Sequence, residues 1–192
     1  MRNKAFYHIK DKFKHIGASW DELAPDKDEA IEYAHTHINP EPLRMIDTNH
    51  YTMEYCLAHS GESVNERFRH DRTDNIDLQI ADMVALHTTD TDLVLYRGVC
   101  DYVFNLMKNN AENMPDCDLY EKGFLATSLV KGHELNYKTK LRIYVPAGTK
   151  CVYVGNVNNE QGFYEVDVMN NSKLKIISID DKYINCKLLA TA

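Results

Sequence analysis

Near residue 92 the chain changes its hydrophobic period, and that change constrains the fold more than any other feature. Before it, apolar residues recur at helical spacing. Phe6, Ile9, Phe13 and Ile16 do so over residues 4–16, and residues 47–58 and 74–88 read as two more helices. In the last of these Ile76, Ile80, Met83, Val84 and His87 form one face. Ser19 with Asp21-Glu22 marks a helix start that Pro25 cuts short, and Asp26 precedes a short helix ending near His37. After Asp90 the segments are short, β-branched and aromatic. LVLYRGV (93–99), KGFLATSLV, two pieces of LRIYVPAGTKCVYVG, FYEVDVM, KLKIISID and INCKLLA read as strands, with one short helix over 101–110. Helices first and hairpin-spaced strands second predict an α+β fold with a mostly antiparallel core.

With 192 residues the chain reads as a single domain, a helical lobe over about 1–90 and a β core over about 91–192. The net charge of −7 gives no support for a nucleic-acid partner or an anionic membrane surface. Five scattered cysteines without a CxxC pair suit a reduced, cytoplasmic setting. The charged N-terminal stretch does not read as a signal peptide, and no apolar run has membrane-spanning length. There is no HExxH, no Cys/His cluster, no GxGxxG and no GxxxxGK[ST]. No metal is expected, and any nucleotide site is of neither the Rossmann nor the P-loop kind.

Three blocks carry candidate chemistry. Arg97 ends an apolar strand before Gly98. A guanidinium there can grip a diphosphate bidentately, and glycine lets a flat ring approach the backbone. Taken alone, a structural arginine paired with a carboxylate is the commoner reading. Thr127 and Ser128 place small hydroxyls on a strand, where they can orient a carboxylate or reflect plain β-propensity. Glu165 stands inside FYEVDV. With strict alternation Phe163, Glu165 and Asp167 share one face, which is either functional or simply solvated.

Together, in this order and with spacings of about 30 and 40 residues, the blocks resemble the R-S-E signature of mono-ADP-ribosyltransferases of the bacterial exoenzyme family, which includes the enzymatic components of clostridial binary toxins. GFYEVDVMNNSKLKIISI is similar to that family's catalytic Glu, strand, turn and Lys-rich strand. SVNERFR (63–69) resembles its Ile-Asn-x-x-Leu-Arg helix. The likeness covers about residues 45–190. It implies a helical lobe packed on two crossed β-sheets, with NAD as co-substrate in the cleft between them. It further implies a catalytic set of Glu165, Arg97, Ser128 and Thr127. Arg97 would bind the NAD phosphates, the Gly98 backbone the nicotinamide amide, and Asn65 and Arg69 would line the cleft. Glu165 would take the ribose 2′-hydroxyl.

The implied activity is transfer of ADP-ribose to a macromolecular acceptor, a protein side chain first among them. NAD hydrolysis, or an inactive domain of this fold serving as a binding or inhibitory protein, are the alternatives. A delivery or inhibitor partner would go unread in the sequence. Two positions depart from the family pattern. Its Ser-Thr-Ser strand reads Ala126-Thr127-Ser128, and the position two before the catalytic Glu is Phe163 rather than Glu or Gln. Phe163, with Gln161 and Glu160 in the same loop, is the expected acceptor-recognition segment.

Overall fold

A computed structural model describes residues 19–38, 61–155 and 162–192. The helices expected over 4–16 and 47–58, and the loop residues Glu160 and Gln161, lie outside the described residues. In chain order the described elements begin with a 3-10 turn (Asp21–Leu23), α1 (Ala30–His37), α2 (Gly61–Arg69) and α3 (Asn75–Val84). Then come β1 (Leu93–Val99), α4 (Asp101–Ala111), β2 (Leu119–Glu121), β3 (Leu125–Ser128) and β4 (Thr139–Val145). β5 (Cys151–Gly155), β6 (Glu165–Val168), β7 (Ser172–Ile179) and β8 (Ile184–Ala190) complete the chain. Among the described residues every strand follows the change of period. The fold is α+β, as the sequence predicts.

The helical lobe is pinned by its own charges. Asp74 caps α3 by accepting from the amides of Ile76 and Asp77, and Asp77 returns the bond to the Asp74 amide. The same Asp77 carboxylate is fully buried and takes Arg67 of α2 bidentately, at 2.6 and 2.5 Å. α3 is shorter than predicted and ends at Val84. Past it the chain is drawn to the sheet, where Thr89 exchanges backbone bonds with Gly148 and Thr149. Its buried face is also narrower: Ile80 and Val84 are buried, while Ile76 in the first turn is exposed.

The eight strands form one continuous ladder, ordered β2-β7-β8-β4-β1-β3-β6-β5 and antiparallel except between β4 and β8. β1 and β4 pair along their whole length, from Leu93↔Val145 to Val99↔Thr139. β1 and β3 meet only at Tyr96↔Ser128. The ladder therefore has a five-strand half and a three-strand half joined at one register pair, and the two sheets implied by the resemblance correspond to these halves. β2 is an edge strand that the sequence pattern did not reveal. Three residues between Pro115 and Gly123 are too few to show alternation.

Three apolar clusters fix the layers. Ala30 and Ala34 of α1 and Val103 and Met107 of α4 cover one face of the sheet, against Leu93, Leu95, Leu141 and Ile143. Val64 and Phe68 of α2 and Ile80 and Val84 of α3 pack on Phe124, Val152 and Val154 of the three-strand half. Behind β1, Tyr96 packs on Tyr183, and its hydroxyl donates to Asp21 at 2.7 Å. Asp21 also receives Arg142, so the N-terminal turn is held to the sheet by charge as well as packing. No described helix is long and apolar enough to cross a membrane.

Candidate active site

The single β1–β3 pair brings the three candidate blocks together. Tyr96 lies opposite Ser128, and Ser128 lies opposite Glu165 on β6. Arg97 follows Tyr96. Residues 31 and 68 positions apart in sequence from Arg97 thus meet at one junction between the sheet halves. Two adjoining cavities open there, of about 620 and 180 Å³. Arg97, Gly98, Ala126, Leu135 and Glu165 wall both. Asn65, Arg69, Tyr102 and Tyr137 extend the larger one along the helical lobe. Thr127, Ser128, His133 and Phe163 close the smaller one. The larger volume lies within the range of small-molecule sites.

Arg97 is buried, and its pKa falls below the ordinary arginine value. Desolvation is the main cause; neighbouring Glu121 opposes it and Arg69 adds to it. Its Nη1 donates to the Ala126 carbonyl at 2.8 Å and its Nη2 to Glu121 Oε2 at 3.2 Å. Among the described residues its buried Nε has no hydrogen-bond partner. Glu121 is the hub. It is 1% exposed and accepts Arg69 through both oxygens at 2.9 Å, Arg97, and the Gly123 amide at 3.0 Å. Burial works against the charge of Arg69, but Glu121 and Glu66 outweigh it and raise its pKa. The sequence reading placed both arginines in the cleft and missed the carboxylate that holds them. Its only signal is an acid two residues before Gly123-Phe124.

Asn65 reaches across from α2. Its Oδ1 accepts the Phe124 amide at 2.7 Å, which locks the start of β3 to the helical lobe. The two hydroxyls expected to face the glutamate do something else. Thr127 Oγ1 donates to the Val166 carbonyl at 2.6 Å, from the sheet face opposite that of Glu165. Ser128 Oγ donates to the Val130 carbonyl at 2.9 Å and accepts the Val130 amide at 3.1 Å, closing its own turn. Both build the backbone under Glu165 rather than spending their protons on its carboxylate.

The strict alternation expected through Phe163 fails at one residue. β6 begins at Glu165, and Tyr164 before it has φ 47°, a left-handed conformation that breaks the period. Glu165 and Asp167 do share a face, opposite Ser128 and Ala126. That face is not solvated at Asp167, which is 2% exposed. Phe163 still lines the smaller cavity beside Glu165. The turn before Glu165 is fastened from outside the strand. His133 donates its Nδ1 proton to the Gly162 carbonyl at 2.6 Å and sets its ring edge-on to Tyr164 at 5.2 Å. Leu129 donates its amide to the Tyr164 carbonyl at 3.0 Å. In the sequence His133-Glu134 is only the start of an HExxH pattern that lacks its second His, so His133 is not a candidate there.

Gly98 is required by close approach. A Cβ there would stand 1.7 Å from the Leu135 carbonyl oxygen, so the first constraint on this glycine is the chain's own loop. Gly98→Ala is expected to push that loop off both cavity walls and to destabilise the fold by about 1–3 kcal/mol, the usual cost of overpacking. Denaturant midpoints of the two proteins measure it. Among the described residues no group of three His, Cys, Asp or Glu side chains is placed to hold a metal ion.

Comparison with known proteins matches this chain to a family. The family model for ADP-ribosyltransferase exoenzymes matches residues 49–191. Sequence comparison with curated proteins gives no significant match. Among solved structures the fold is similar to C3stau2 from S. aureus with NAD, at 16% identity and a TM-score of 0.60, over 86% of this chain and 97% of that one. It is also similar to C3larvin toxin, an ADP-ribosyltransferase from Paenibacillus larvae, at 15% identity and a TM-score of 0.57, over 87% and 96%. BECa, an ADP-ribosylating toxin of a C. perfringens binary enterotoxin solved with NADH, aligns at 17% identity and a TM-score of 0.51. That alignment takes in 90% of this chain and 48% of that one. At these identities the likeness is one of fold; the family match spans most of the chain. On that match, the chain belongs to the ADP-ribosyltransferase exoenzyme family.

Proposed function

We propose that this chain transfers ADP-ribose from NAD to a macromolecular acceptor, a protein side chain, and releases nicotinamide. One observation carries the reading: Arg97 and Glu165, far apart in sequence, wall the same cleft, with Arg69, Asn65 and Gly98 along it. The cleft suits NAD. Among the described residues the Arg97 Nε has no protein partner, which leaves one donor of the guanidinium for a diphosphate oxygen. The Gly98 backbone would hold the nicotinamide amide.

Cleaving the nicotinamide–ribose bond builds positive charge on the ribose, as in glycoside cleavage. A fixed carboxylate at Glu165 would take the ribose 2′-hydroxyl and stabilise that charge more than it stabilises intact NAD. Phe163 gives an acceptor apolar contact and no carboxylate or amide. A guanidinium acceptor therefore lacks its usual partner at this position. The reading that goes with this site is an effector or toxin acting on a macromolecule of a target cell.

The test is nicotinamide release from NAD, together with labelled NAD in a cell lysate. Turnover with a labelled macromolecule is the expected result and hands over the target. Turnover with free ADP-ribose as sole product would mean that water is the acceptor. No turnover and no NAD binding would leave a binding protein on an enzyme fold.

A further inference from the structure

Ala126 removes a hydroxyl from the β3 strand, and Asp167 stands directly opposite it on β6. The pair shares a face with Ser128 and Glu165. Asp167 is 2% exposed, and among the described residues its Oδ1 has no hydrogen-bond partner. The carbonyl of the same Ala126 receives Arg97 at 2.8 Å, and the Arg97 Nε is likewise buried without a partner among the described residues. A buried carboxylate oxygen and a buried guanidinium nitrogen, each without a partner among the described residues, thus flank one alanine at the wall of the cleft, although the same guanidinium also pairs with Glu121. A buried carboxylate in this position must be neutralised by a proton or by a cation.

Resting on the transferase reading, we propose that Asp167 is a positioning residue that competes with the NAD diphosphate for the Arg97 guanidinium, so that binding of NAD favours the protonated carboxyl. Ionised, Asp167 and the diphosphate are like charges drawn to one cation. Neutral, Asp167 leaves Arg97 to the diphosphate. Burial pushes the Asp167 carboxyl up to about 7, with Arg97 pulling the other way. The change of charge therefore falls within the working range of pH. Among the described residues, the other charged or titratable groups around the two are Arg69 and Glu66 on α2, Glu121 on β2, Glu165 on β6, Cys100 ahead of α4, Tyr102 on α4 and Tyr137 ahead of β4.

The sign follows from linkage. NAD affinity is highest below about pH 7 and falls as pH rises through it. The folded protein also holds this proton more tightly than the unfolded chain. Asp167 therefore costs stability as pH rises from the ordinary aspartate range through 7.

The experiment measures NAD affinity by calorimetry at pH 6, 7, 8 and 9 for the wild-type chain, Asp167→Asn and Ala126→Ser. Melting temperatures are taken without NAD at the same pH values. The expected wild-type affinity falls several-fold, up to about tenfold per unit above the midpoint for one linked proton. Asp167→Asn stays flat within about twofold and gains melting temperature over wild type between pH 6 and about pH 8, beyond which the difference levels off. Ala126→Ser returns a hydroxyl donor opposite Asp167. That favours the ionised carboxylate and moves the midpoint down. An Asp167→Asn curve that follows wild type in both affinity and melting overturns the proposal. Wild type that binds no NAD at any pH overturns the transferase reading. The melting comparison then still decides whether Asp167 carries the proton.

Discussion

Glu165→Gln is expected to lower kcat for nicotinamide release by about 10²–10³-fold while leaving KM for NAD within a few-fold. That is the effect of deleting one preorganised electrostatic group, roughly 3–4 kcal/mol. The amide keeps the size of the carboxylate and can still accept from a ribose hydroxyl, so ground-state binding survives. It lacks the negative charge that opposes the charge growing on the ribose, so the loss falls on turnover. The position supports a clean comparison. Glu165 opens β6 opposite Ser128, on a backbone held by the Thr127 and Ser128 hydroxyls. Steady-state kinetics with nicotinamide as the measured product decide it. An equal loss carried by KM would assign Glu165 to binding and remove it from the bond-breaking step.

Much of the fold was legible because it is written in local periods. The helices α1, α3 and α4 and seven of the eight strands follow from helical spacing, alternation and turn residues. β2 was not, because three residues cannot display a period. The site was legible only as a set. Arg97, Thr127-Ser128 and Glu165 each have a commonplace structural reading, and the order and spacing of the three blocks changed it. What stayed hidden depends on docking. Glu121 meets Arg69 across 52 residues of sequence, and nothing near either one marks the partner. Asp167 follows the alternation of an ordinary half-exposed strand. Its face is buried because the adjoining Phe124, Val152 and Val154 are covered by α2 and α3, which the local pattern of β6 does not record. The hydroxyls show the reverse error. Thr127 and Ser128 look poised for a carboxylate in sequence, yet a strand pair and a turn take their protons first.

Glu121→Ala is expected to destabilise the protein by about 3–5 kcal/mol, the usual cost of removing one partner from a buried charge network. The carboxylate is 1% exposed and is shared by Arg69, Arg97 and the Gly123 amide. Without it, Arg69 keeps Glu66 as a partner and Arg97 keeps the Ala126 carbonyl. Two cations would then face each other across a desolvated gap, and burial already lowers the Arg97 pKa. A domain with a typical stability of about 5–15 kcal/mol loses a large share of it this way. Glu121→Gln keeps an acceptor oxygen but not the charge, so it should fall between wild type and alanine. Denaturant midpoints at constant slope measure the loss. If Glu121→Ala shifts stability by less than about 1 kcal/mol, as an exposed ion pair would, the network is solvated. The two arginines would then be held in the cleft by packing rather than by charge. If the full loss appears, holding Arg97 at the cleft wall and holding α2 to β2 are one task, carried by one carboxylate.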